Sequence, residues 1–167
     1  MTGLYIHVPF CVRKCRYCDF YSVPLGGAVP RFLGALEQEL RLLPPEFAPD
    51  TVYIGGGTPT ALEMDELRRL LDLLGPVAAR GRVVEWTCEA NPGTLTRDKA
   101  ELIRAAGVNR VSLGVQSFSP DTLAFLGRIH SAAEAVDGFA LLRETGFANI
   151  NVDLMYGIPG CAREDLE

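Results

Sequence analysis

Three of the chain's five cysteines fall in Cys11-Val12-Arg13-Lys14-Cys15-Arg16-Tyr17-Cys18, a C-x3-C-x2-C run. A loop this short can gather three thiolates round one metal centre. Arg13, Lys14 and Arg16 favour the thiolate form, because nearby positive charge lowers a thiol's pKa. The same charges set the loop against solvent and argue against a buried structural trio. Three ligands are one short of a closed tetrahedral zinc site or a fully cysteine-ligated cluster. On a four-iron cluster they leave one iron open to bind something else. A zinc site completed by His7, Cys88 or Asp19 stays open on spacing, with the cluster the better fit. Cys88 and Cys161 have no partner pattern and read as small buried apolar residues.

A second chemical feature is Ile54-Gly55-Gly56-Gly57-Thr58-Pro59-Thr60. Consecutive glycines let a ligand approach the backbone and permit positive φ. A phosphate loop would need a following Gly-Lys-Ser/Thr or a G-x-G-x-x-G opening a helix, and neither is present. A tight turn is the competing reading. Four more polar residues lie at or just beyond the ends of apolar runs: Glu89, Gln116, Arg128 and Asp153. Singly, each could be a solvated strand end. Their recurrence at one edge favours a ligand.

The elements that must position these residues alternate. Strands are expected at 4–8, 51–54, 82–89, 110–115 and 150–154, from short apolar runs. Between them Val29, Phe32, Leu33, Leu36, Leu40 and Leu43 recur at helical spacing and stop at Pro44-Pro45. Met64, Leu67, Leu70, Leu71 and Leu74 do the same and stop at Gly75-Pro76. Thr96 caps a helix ending at Gly107, and Ser119 precedes a first-turn proline, Pro120. Ser131 and Glu134 form a capping box opening a helix that ends at Gly146. Alternating β and α elements predict an α/β fold with a parallel sheet and right-handed crossovers. Periodicity does not choose between an open doubly wound sheet and most of a (β/α) barrel. The cysteine loop follows the first strand, at the carboxyl edge where such folds bind ligands.

With 48% hydrophobic and 22% charged residues, the 167-residue chain can build a sizeable core and is not expected to be disordered. A net charge of −5, with no Lys/Arg cluster interrupting the helical faces, argues against nucleic acid or an anionic membrane as partner. No apolar run approaches the ~20 residues of a membrane span, and the start lacks a signal-peptide pattern. A cytoplasmic protein is expected. An odd cysteine count with a tight cluster points to metal rather than disulfides in a reducing compartment. The last residues, Arg163-Glu164-Asp165-Leu166-Glu167, look like an acidic first helical turn cut short, so a fragment is expected.

Tyr5-Ile6-His7-Val8-Pro9-Phe10-Cys11, the cysteine spacing and Tyr17 before Cys18 resemble the radical S-adenosylmethionine (radical SAM) superfamily. The resemblance implies a [4Fe–4S] cluster on Cys11, Cys15 and Cys18. SAM would chelate the open iron and be cleaved to a 5′-deoxyadenosyl radical. The glycine run resembles the superfamily's GGGTP element, which contacts the methionine moiety of SAM. The fold implied is a partial (β/α) barrel of parallel strands, truncated after about five βα units. Residues 1–167 would be the N-terminal portion of the radical SAM core, without the rest of the barrel or a C-terminal domain. From Tyr5 to Gly160 the chain is similar to the branch containing oxygen-independent coproporphyrinogen III oxidases and haem chaperones. By that resemblance Tyr5, Tyr17, Gly56, Gly57, Thr58, Glu89, Gln116, Arg128 and Asp153 bind SAM. SAM is a zwitterion with a ribose diol, for which carboxylates, an amide and a guanidinium are suitable partners. His7 and His130 read as structural or peripheral, and no residue is assigned to catalysis.

The oxidases carry a further cysteine two residues after the third, where this chain has Phe20 after Asp19. They also carry a longer N-terminal extension. Both departures favour the chaperone type, with haem and a haem-accepting protein as partners of the complete protein. Porphyrinogen decarboxylation is the alternative.

Overall fold

The computed structural model describes residues 1–161, so the acidic turn expected at 163–167 lies outside the described residues. In chain order the elements are β1 (Gly3–Val8), β2 (Phe10–Cys11), β3 (Val23–Pro24), α1 (Val29–Arg41), β4 (Thr51–Gly56) and α2 (Met64–Ala78). Then follow β5 (Glu85–Ala90), α3 (Arg97–Ala105), β6 (Arg110–Gln116), α4 (Pro120–Leu126), α5 (Ala132–Glu144) and β7 (Asn149–Leu154).

Five strands form one parallel sheet in the order β1-β4-β5-β6-β7. Among the described residues spatial order follows chain order with no reversal, so their sheet has no topological switch point of the doubly wound kind. This is the singly wound order of a (β/α) barrel segment. The helices line up accordingly, with α1 beside α2, α2 beside α3 and α3 beside α5.

Period-two alternation divides each strand. Ile6, Val8, Val52, Ile54, Trp86, Cys88, Val111, Leu113 and Val115 are buried in the core with Leu33, Leu67, Leu70, Leu74, Ile103 and Leu142 of the helices. Each such leucine contributes roughly 1.5–3 kcal/mol by leaving water. The opposite parity carries His7, Tyr53, Glu89, Ser112 and Asp153. One face of the sheet is thus committed to the core and the other to polar chemistry.

The expected caps form. Thr96 accepts from the Lys99 N–H, Ser119 from Thr122, and Ser131 with Glu134 makes the capping box. Two boundaries move by three residues or more. Helix α2 continues through Gly75-Pro76 to Ala78. Pro76 removes a single hydrogen bond near the last turn, and burying Val77 and Ala78 outweighs it. The third large strand starts at Glu85 rather than Arg82, because Glu85 pairs with Thr51, where β4 begins. Among the described residues no helix is long and apolar enough to cross a membrane.

Candidate metal and cofactor site

The cysteine loop is closed at its base by a two-residue ladder not foreseen from sequence. Beyond β1 and Pro9, Phe10–Cys11 pairs in parallel with Val23–Pro24. The Val23 N–H donates to Pro9 O (2.7 Å) and the Leu25 N–H to Cys11 O (2.8 Å). Phe10 anchors this ladder, buried edge-on against Phe32. The glycine loop then docks on the same segment. Gly57 N–H donates to Val8 O (2.8 Å) and Thr58 N–H to Phe10 O (2.7 Å).

The glycines make room for protein as well as for ligand. At Gly56 (φ 104°) an added Cβ would lie 2.5 Å from His7 Nδ1. At Gly57 it would lie 2.5 Å from Phe10 O. His7 is a strut, as expected of a structural histidine. Its Nε2–H donates to Tyr21 O (2.8 Å), which leaves Nδ1 to accept from the Tyr5 hydroxyl (3.1 Å).

An open cavity of about 200 Å³ lies over the carboxyl edge of the sheet. Cys11, Cys15, Cys18 and Tyr17 line it from the loop, and Gly56, Gly57 and Thr58 from the end of β4. Glu89, Gln116 and Asp153 reach it from β5, β6 and β7, and Arg128 from the α4–α5 connection. Tyr5 is the predicted site residue that does not line it. One strand repeat below His7, it stands half-exposed beside Tyr53, with the His7 ring between it and the glycine loop. Residues missed from sequence also line the cavity, among them Asn91, Ser112 and Gly114. Ser112 and Gly114 share the parity of Gln116 along β6, and that alternation was the signal for them.

Each polar group is held by neighbours. The Glu89 carboxylate accepts from the Tyr53 hydroxyl (2.7 Å) and the Gly56 N–H (3.0 Å), tying β5 to β4. Burial, and then the Glu89 charge it bonds, push the Tyr53 phenol far above its ordinary pKa. Asp153 accepts from Ser112 Oγ (3.1 and 3.2 Å) and from Asn151 Nδ2. Gln116 sits at φ 72°, the one positive φ at a non-glycine residue among those described, next to the irregularity between Gly114 and Gln116. Such a conformation costs about 1–3 kcal/mol and is held from outside. Met155 N–H donates to Gln116 O (2.9 Å), and the buried His130 bonds Val115 O (3.0 Å) and Asn91 Oδ1 (3.1 Å). Burial, with the Arg128 charge second, lowers His130 below the usual histidine pKa.

The donor set suits a cluster better than one ion. Among the described residues no three Cys, His, Asp or Glu side chains converge on a point that could hold a single metal ion. The three thiols instead line one cavity, as needed where each cysteine binds a different iron. The two zinc completers nearest in chemistry are engaged elsewhere. His7 is the strut, and Cys88 is wholly buried on the helix-facing side with its thiol pushed up to about 12 by burial. Cys161 is half-buried beside Thr122 Oγ1 (2.9 Å) rather than fully buried as expected, because it lies beyond β7 outside the sheet. An incoming anion would also find a donor. Arg128 Nε is buried without a partner, while its other nitrogens bond Cys15 Sγ, Tyr17 Oη and Gly114 O. A buried N–H of this kind is costly unless matched, and a ligand carboxylate would match it.

The family model described as the radical SAM superfamily matches residues 5–167. The chain is 41% identical to the haem chaperone HemW of Bacillus subtilis, covering 100% of this chain and 45% of that protein. It is likewise 41% identical to HemW of Escherichia coli, covering 98% and 44%. It therefore spans under half the length of these relatives. Among solved structures it is similar to the coproporphyrinogen III oxidase HemN of Escherichia coli, a radical SAM enzyme. The TM-score is 0.88 at 31% identity, over 99% of this chain and 39% of that one. Methylornithine synthase, at 13% identity and a TM-score of 0.68, shares the fold. The match runs through the three-cysteine loop, the glycine run and the polar carboxyl edge alike, and this chain belongs to the radical SAM superfamily.

Proposed function

We propose that Cys11, Cys15 and Cys18 hold a [4Fe–4S] cluster and that the adjoining glycine loop, Glu89, Gln116, Arg128 and Asp153 hold SAM, in a haem chaperone of the HemW type. Superfamily membership implies both cofactors, and the thiols and polar edge residues lining one cavity support these assignments. The reduced cluster, when bound, supplies an electron to the SAM sulfonium. The chain's own residues bind and orient. Glu89 and Asp153 present carboxylates to a cation or a diol, Gln116 an amide, and Arg128 a charged donor.

One observation carries the chaperone reading over the oxidase. The position of the oxidases' extra cysteine holds Phe20, whose side chain lines the cavity mouth and is 65% exposed. The identity to chaperones over essentially the whole chain agrees. In this reading the rest of the barrel and a haem-binding C-terminal region lie in the longer protein. That protein works in the cytoplasm and passes haem to an acceptor protein.

The deciding experiment uses the full-length parent, reconstituted anaerobically with cluster, SAM and a reductant. It is expected to bind haem, read from the absorbance spectrum, and to make no protoporphyrinogen IX from coproporphyrinogen III. Residues 1–167 alone are expected to bind haem poorly. Product formation at an oxidase-like rate would overturn the chaperone reading in favour of the decarboxylase.

The SAM assignment has its own test. Glu89→Ala and Asp153→Ala are each expected to weaken SAM binding by roughly 1–3 kcal/mol, one charge-assisted hydrogen bond apiece. Glu89→Gln should lose less, because its amide oxygen can still accept from Tyr53 or Gly56. Calorimetry showing wild-type affinity in both alanine variants would remove SAM from this edge.

A further inference from the structure

Helix α4 ends with Gly127 in the left-handed conformation (φ 73°). Carbonyls at a helix C-terminus lack intrahelical partners and attract positive charge. Here the cysteine loop supplies the donors. Arg16 donates its N–H to Leu126 O (3.0 Å) and its Nη1 to Phe125 O (3.3 Å). Arg13 Nη2 donates to both Gly127 O (2.8 Å) and Arg128 O (2.7 Å). The contact is close, since a Cβ on Gly127 would lie 3.3 Å from Arg16 Cγ.

The exchange runs in both directions. Arg128, whose backbone Arg13 holds, sends its own guanidinium back to the loop, where Nη1 donates to Cys15 Sγ (3.3 Å). Its Nη2 is fixed on Gly114 O of β6. The side chain is therefore held at both ends, by Arg13 at its backbone and by the sheet at its tip.

We propose that Arg13 is a positioning residue: by clamping the carbonyls of Gly127 and Arg128 it keeps the Arg128 guanidinium on the Cys15 sulfur, and so raises the reduction potential of the cluster bound there. This rests on the cluster assignment above. Hydrogen bonds to the sulfurs and net charge set the potential of an iron–sulfur centre. A guanidinium N–H on a thiolate ligand stabilises the added electron. Arg13 adds its own charge, but its larger effect runs through Arg128. A change at one residue should then depend on the other.

The test is an EPR-monitored redox titration of the full-length protein, reconstituted anaerobically without SAM, as wild type, R13M, R128M and R13M/R128M. Each single variant should move the potential to more negative values. The double variant should fall below R128M by much less than R13M falls below wild type, because without that guanidinium only Arg13's own charge is left to lose. Additive shifts would mean that Arg13 acts through its charge alone and would overturn the clamp, as would an unmoved potential in R13M. R13K, which keeps the charge on a shorter side chain, covers the case in which R13M takes up no cluster. A negative shift in R13K that vanishes in the R128M background supports the clamp, and a wild-type potential in R13K overturns it. A wild-type protein that holds no cluster would instead sink the cluster assignment.

Discussion

Changing Cys11, Cys15 or Cys18 to alanine is expected to abolish the brown [4Fe–4S] chromophore after anaerobic reconstitution, while Cys88→Ala and Cys161→Ala keep it. With three protein thiolates on four irons, losing one leaves two irons without a protein ligand. The loop offers no further thiol. Cys11 is fixed in the β2–β3 ladder with its sulfur near Thr58 Oγ1 (3.7 Å). Cys15 is held by Arg128, and the Cys18 N–H by Cys15 O (3.2 Å). Cys88 faces the helices at 0% exposure, and burial keeps its thiol protonated at neutral pH. Cys88→Ala should therefore cost some stability through the cavity it leaves and no iron. Iron and sulfide analysis alongside the visible spectrum checks this. Bleaching in Cys88→Ala as complete as in Cys15→Ala would show the three-cysteine assignment to be wrong.

What could be read from sequence was mostly local. The caps at Thr96, Ser119 and Ser131 are decided by residues three apart, and all three formed. The end of α2 was not, because Val77 and Ala78 gain their burial from residues remote in sequence, and that gain carries the helix past Pro76. The same holds for sheet order. Every strand of the five-stranded sheet was visible as an apolar run, yet a doubly wound sheet and a barrel segment share one periodicity. Only the unreversed order from β1 to β7 separates them. The β2–β3 ladder is too short to leave any periodic trace. At the site, cysteine spacing and the glycine run were legible because a ligand imposes them on neighbours in sequence. The work of His7 and Tyr53 was not. His7 fills the space that Gly56 leaves, and Tyr53 holds Glu89, through contacts between strands. Tyr5 matched the superfamily pattern yet stands outside the cavity, because strand geometry places it one repeat below His7.

Gly57→Ala tests that hidden packing, and it is expected to unfold the cofactor edge while Gly26→Ala does nothing. The Gly57 backbone is not left-handed, so the effect is purely one of space. A methyl there would lie 2.5 Å from Phe10 O, 2.7 Å from Val8 O and 2.8 Å from Phe10 N, all backbone atoms that cannot swing aside. Relief requires moving the β1–β2 turn away from the glycine loop. That breaks the bonds from Gly57 N–H to Val8 O and from Thr58 N–H to Phe10 O, and drags Cys11 out of place. The cost should reach the upper end of the ~1–3 kcal/mol typical of overpacking, with about 1 kcal/mol more for each hydrogen bond lost. At ~2–4 °C per kcal/mol for a domain of this size, the Tm of the cluster-free protein should drop by roughly 10 °C or more. Iron content after reconstitution should fall with it, since Cys11 sits on the displaced segment. Gly26 has nothing within 4 Å of an added Cβ, so its alanine variant should keep wild-type Tm and iron content. Equal melting of the two variants would mean that the loop yields freely, and that Gly57 is not what seats the cysteine loop on the sheet.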